Sequence, residues 1–134
     1  MNHSALNTIF ERASADMGYN FINLVGATTP KQAPPLPAAI LSSFSFQSRE
    51  GRNRGKTTYA LKFQLLQKGA TLSGSERQEL IERLENDALE IMTTISTNSK
   101  VALIKELVIS PLSSSKIARQ ECGVEVTAEI VTIF

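Results

Sequence analysis

The hydrophobic period of this chain switches from two to about 3.6 and back again, and that switch constrains the fold more than any other feature. Residues 57–67 (TTYALKFQLLQ) set Tyr59, Leu61, Phe63 and Leu65 at alternate positions, with Ala60, Lys62 and Gln64 between them. Residues 74–98 then carry apolar side chains at i, i+3, i+4 and i+7, the stripe of an amphipathic helix. Residues 101–109 (VALIKELVI) and 124–134 (VEVTAEIVTIF) return to β-rich alternation. A strand, a long helix and two more strands bury their apolar sides most simply as a helix laid on one sheet.

The upstream half extends this order. Phe44 and Phe46 alternate with Ser43, Ser45 and Gln47, so residues 40–47 predict a strand that pairs with 57–67 as a hairpin. The connection, SREGRNRGKT, contains Gly51 and Gly55, which permit positive φ. Near the start, Leu6, Ile9, Phe10, Ala13 and Met17 form one helical stripe, with Ser4 placed to cap it and Gly18 to end it. This helix is expected to pack on its own sheet or on a neighbouring subunit. Between helix and hairpin, residues 26–39 (GATTPKQAPPLPAA) hold Pro30, Pro34, Pro35 and Pro37. Proline lacks an N–H and fixes φ, so an extended connector is expected there, ahead of a ligand for a proline-recognition domain.

The expected fold class is α+β: an N-terminal helix, then β-β-α-β-β, with a mainly antiparallel sheet and the central helix packed on one face. One domain is expected over residues 1–134, with helix and connector in 1–39 and the β-β-α-β-β core in 40–134. Apolar content of 42% with 20% charge excludes wholesale disorder. No apolar run is long enough for a transmembrane helix, and the first residues lack the basic start and apolar core of a signal peptide. With Cys122 as the one cysteine, a reducing compartment is expected, the cytoplasm of the cell that makes the protein.

In the central helix, Ser73 or Ser75 can cap the start; if Ser75 does, Gln78 stands where a capping box needs it. Glu76, Glu79 and Glu82 set negative charge near the positive helix end. Leu80, Ile81, Leu84, Ala88, Ile91, Met92 and Ile95 form the buried stripe, opposite a solvated face of Glu79, Arg83, Asn86, Asp87 and Glu90. In the next strand, strict alternation puts Val101, Leu103, Lys105, Leu107 and Ile109 on one face and Ala102, Ile104, Glu106 and Val108 on the other. Both faces are rather apolar, so this strand is expected to be covered twice or to meet another subunit. Pro111 with Ser113, Ser114 and Ser115 marks a turn. The last strand, antiparallel to it, opposes Val124, Val126, Ala128 and Ile130 to Glu125, Thr127 and Glu129.

Chemistry-bearing residues are sparse. His3, near the chain start, is the one histidine and reads as incidental, so no Ser-His-Asp set has three credible members. Cys122 reads as a small residue at a strand start, with no partners for a metal. No catalytic, cofactor or metal site is expected. Residues 51–57 (GRNRGKT) end like a phosphate-binding loop, but the first glycine lies too close, and strands flank the segment where a helix should follow. The hairpin tip remains: Arg49, Arg52, Arg54 and Lys56 against Glu50 alone, while the whole chain carries only +1. Such a tip either solvates the turn and protects a strand edge, or contacts phosphates or an acidic partner.

The helix and β-β-α-β-β order, the basic tip, the stretch YALKFQLLQKG at 59–69, the glutamate-rich helix start and GVEVTAEI at 123–130 together resemble the tail terminator or tail completion proteins of tailed phages, including prophage-encoded members in bacterial genomes. The resemblance covers residues 40–134 and leaves the proline-rich 26–39 segment outside it. It implies a non-enzymatic structural protein, a homo-oligomeric ring (commonly a hexamer) that stops growth of the tail tube and docks the head connector. Hairpin loops and sheet edges would carry the subunit and tube contacts. Location would be the host bacterial cytoplasm during assembly and then the virion tail, with passing contact to DNA and none to a membrane. Two other classes stay open: a small nucleic-acid-binding domain using the basic tip, and an enzyme subunit whose active site forms between chains.

Overall fold

The computed structural model describes residues 2–23, 35–51, 55–68, 73–112 and 122–133. Two helices lie on one face of a five-stranded sheet: α1 (Asn2–Asp16), β1 (Asn20–Asn23), β2 (Ala38–Glu50), β3 (Lys56–Gln67), α2 (Gly74–Ser96), β4 (Val101–Pro111) and β5 (Cys122–Thr132). The strand order is β1-β2-β3-β5-β4. Three of the four pairings are antiparallel, and β1 runs parallel to β2. The α+β class and the order of its main elements follow the periodicity. The first strand does not, because NFIN is too short to show a period.

The centre of the sheet is the most regular part. β3 and β5 stay in register from Thr57↔Thr132 to Gln67↔Cys122 without a shift. Tyr59, Leu61, Phe63 and Leu65 thereby share a face with Val124, Val126, Ala128 and Ile130, and all eight are buried. Onto that face α2 lays Leu80, Leu84, Ala88, Ile91, Met92 and Ile95, as its stripe requires. Each of these large side chains contributes about 1.5–3 kcal/mol when removed from water. Ser73 is the N-cap, completing a capping box with Glu76, so the choice between Ser73 and Ser75 falls to Ser73.

α1 closes the other half of the same core. Leu6, Phe10 and Ala13 are buried, and the Phe10 ring meets Phe63 edge-on with centroids 5.3 Å apart. The helix therefore packs on its own sheet. It begins at Asn2, which puts Ser4 inside the first turn instead of at the cap. Gly18, at φ +85°, ends it, and the Tyr19 N–H returns to the Ser14 carbonyl at 3.0 Å. Most of the proline-rich connector lies outside the described residues, but its end is informative. The Pro35 and Pro37 carbonyls accept from the Asn20 side chain, and Pro37 also accepts from the Asn20 N–H at 2.9 Å. Proline keeps its acceptor, and β2 starts directly after it at Ala38, two residues before the expected boundary. Ala38, Ile40 and Leu66 form a second, small cluster on the face away from the helices.

β4 departs from the sequence expectation. Its register against β5 shifts between Val101 and Leu103 and again between Lys105 and Val108. Each shift inserts one extra residue and reverses which parity faces the helix. Val101, Ile104 and Ile109 face the core, while Leu103, Lys105 and Val108 pair with Val131, Glu129 and Thr127 on the opposite side. The two-face partition of strict alternation is therefore wrong for this strand. At the second shift Glu106 takes φ 56°, the left-handed region that a side chain rarely occupies. Pro111 ends β4 and does not sit in a turn; the turn expected at Ser113, Ser114 and Ser115 lies outside the described residues.

Candidate functional site

The β2–β3 hairpin carries the basic tip. Arg49 stands opposite Thr57 and Glu50 opposite Lys56, and all but Thr57 are exposed. The turn needs both its glycines. Gly51 has φ +84°, and a Cβ on the buried Gly55 would lie 2.2 Å from the Glu50 carbonyl oxygen. Arg49 Nη1 reaches Thr57 Oγ1 at 3.5 Å, a long contact that leans the guanidinium over the hairpin root. Thr57 is anchored in turn, its carbonyl accepting from Thr132 Oγ1 at 3.0 Å. Arg52 and Arg54 lie outside the described residues. Arg49 and Lys56 thus stand one register position apart on adjacent strands but on opposite faces of the hairpin, Arg49 on the face of Thr57 and Lys56 on the face of Glu50.

One turn of strand further back, Phe46 is 59% exposed. Phe44 stacks on Tyr59 at 4.8 Å, whereas Phe46 touches the same ring only edge-on at 6.3 Å. β1 covers β2 only from Ala38 to Leu41, so among the described residues no strand pairs with the outer side of Ser43–Glu50. An exposed phenylalanine beside an open strand edge and two cations is a contact surface in chemical terms.

The opposite margin of the sheet offers a second surface. β4 is the outer strand there, and beside it α2 leaves a cleft of about 340 Å³ lined by Leu89, Met92, Ala102, Leu103, Ile104 and Leu107. Leu89 and Leu103 are 46% and 54% exposed. The bulges explain the cleft: Ala102 and Leu107 are residues at the shifts, displaced from a regular ladder toward the gap beside α2. Glu82 and Glu85 stand seven and four residues before Leu89, on the same face of the helix, so the cleft has an acidic approach. Leu89 falls outside the apolar stripe of α2, and that out-of-phase leucine was the sequence signal for this surface.

Elsewhere polar groups serve the fold. The Tyr19 hydroxyl donates to Asp87 Oδ2 at 2.7 Å, joining the α1–β1 corner to α2. Asp87 is thus half-buried and bonded, a correction to the solvated face expected for it. Burial first, then the bond to Asp87 and its charge, push the Tyr19 phenol well above its ordinary range. Such a phenol stays protonated and is a poor acid or nucleophile near neutral pH. Cys122 is buried at the start of β5, as expected. Lys62–Glu125 and Lys105–Glu129 pair at 3.7 Å on the sheet face away from the helices, where solvent leaves such pairs little net effect. Among the described residues no group of three His, Cys, Asp or Glu side chains gathers to hold a metal, and no helix is long and apolar enough to cross a membrane. Compared with models of known protein families and with curated proteins, the chain matches none.

Proposed function

We propose that this chain is a non-enzymatic assembly subunit, a ring-forming protein that terminates or completes a phage or prophage tail and docks to the head connector. The observation that carries the reading is the pair of unlike open margins: Ser43–Glu50 of β2 on one side and β4 with its apolar cleft on the other. Two different surfaces at opposite ends of one sheet favour head-to-tail contact, which closes into a ring when the rotation between copies allows it. Large apolar side chains left in water at both margins supply the driving force. Tail tube and head connector are the partners that the sequence resemblance adds, the cytoplasm of the host bacterium and then the virion are the places, and DNA would pass by without being read.

Electron microscopy of the purified protein, with mass measured by light scattering, tests the reading: closed rings of uniform size are expected. Deleting the gene from an inducible prophage should leave tails of uncontrolled length without heads. The nucleic-acid reading makes the opposite forecast from Arg49 and Lys56. A monomer that binds DNA with steep salt dependence would replace the assembly proposal with it.

A further inference from the structure

We infer that the β2–β3 hairpin of one copy seats in the α2–β4 cleft of the next, with Phe46 as the apolar anchor and Arg49 against Glu82 and Glu85. This deepens the assembly reading and rests on it; the occupant of the cleft is a second copy of this chain. Three observations point to it.

The first is charge. The cleft is apolar at Leu89 and Leu107, and its approach along α2 is acidic, whereas the exposed Phe46 shares its face of the hairpin with the cation Arg49. Each surface therefore holds what the other lacks. The second is spacing. Phe46 pairs with Tyr59 and Arg49 with Thr57 across a bulge, so the two lie on one face of the hairpin about 7 Å apart, and Leu89 and Glu85 are separated by four helical residues, about 6 Å. An anchor in the cleft would thus bring Arg49 level with Glu85, one turn short of Glu82. The third is the broken ladder of β4. Its register shifts after Val101 and after Lys105, so no long run of evenly spaced backbone groups is offered to a strand from another molecule. Continuous strand addition is disfavoured there, and side-chain docking in the cleft that the bulges leave is the contact the edge can make.

The contact is directional, which gives a decisive test. Phe46→Asp with Arg49→Glu removes the hairpin side; Leu89→Asp with Glu82→Lys removes the cleft side. All four positions are exposed, so both double variants should melt like the parent. By analytical ultracentrifugation of the full chain, the parent should be an oligomer, and each variant alone should be monomeric, its association weakened at least tenfold. Mixed one to one, the two variants should form a heterodimer and stop, because that mixture retains one intact hairpin and one intact cleft per pair. A parent that oligomerises while both variants do so equally well overturns this interface and leaves the assembly reading standing. Variants that are monomeric alone and remain so when mixed also overturn it, since the surfaces would not be partners. A parent that is monomeric throughout the concentration range overturns the assembly reading itself.

Discussion

β3 and β4 flank the same strand, β5, and behave in opposite ways. β3 is paired on both sides, keeps register with β5 over its whole length, and turns every second side chain into the core. β4 is paired on one side only, slips twice, and leaves Leu103, Leu107 and Val108 in water. A strand held between two neighbours cannot add a residue without breaking two ladders, and every side chain beyond the slip would change face. An edge strand breaks only one ladder, and its outer side has nothing to clash with. Alternation in sequence is therefore a reliable guide in the middle of a sheet and a poor one at its margin.

The largest effect should come from the covered side of the sheet. Leu84→Asp would put a charge without a partner under the buried face of α2, at a cost above about 4 kcal/mol, enough to abolish the cooperative thermal transition. A soluble variant that melts normally would break the contrast at its root. Phe63→Ala on β3 should cost about 3–5 kcal/mol in denaturant unfolding, while Leu103→Ala on β4 should change stability by less than about 0.5 kcal/mol. Similar losses at the two positions would mean that β4 is not a margin at all.

Tyr19→Phe tests the corner beside the centre of the sheet. Losing the donor to Asp87 should cost about 1 kcal/mol near neutral pH. The phenol is raised in the folded state, so its share of stability is whole below its unfolded value near 10 and lost as pH climbs above it. Thermal melts of the parent should therefore fall through that alkaline window, and those of the variant should fall less. The smallest effect is a gain. Glu106→Gly relieves a left-handed backbone and should stabilise by about 0.5–1 kcal/mol, whereas a loss would mean that the side chain holds the bulge in place.

The parts legible in sequence are those where one rule acted alone. The α2 stripe, the β3 and β5 faces and the Gly18 stop each follow from a period or a turn residue, and each stands in the fold. β1 was not legible, since four residues carry no period and its pairing depends on Pro37 and Asn20 meeting across the connector. The slips in β4 were hidden for another reason. Val, Leu, Ile and Ala occupy both parities of 101–109, so the sequence tolerates either phase and the paired strand decides. Of the basic tip, Arg49 and Lys56 are exposed at the hairpin root but on opposite faces; Phe46 becomes visible as a contact residue only when its exposure is known, whereas Leu89 was signalled by its place outside the α2 stripe.

Strand order has a consequence for synthesis. β5 is the last of the five strands to emerge from the ribosome, yet it occupies the slot between β3 and β4. Until it arrives, the β2–β3 hairpin waits with its inner edge bare, α2 has only half of its sheet face, and β4 has no strand to pair with. Thr57 must wait for Thr132, 75 residues downstream. A nascent chain stalled before Cys122 would present a sticky hairpin and a loose amphipathic helix, the species most in need of a chaperone. Closure of the sheet between β3 and β4 thus waits on a strand that follows both of them in sequence.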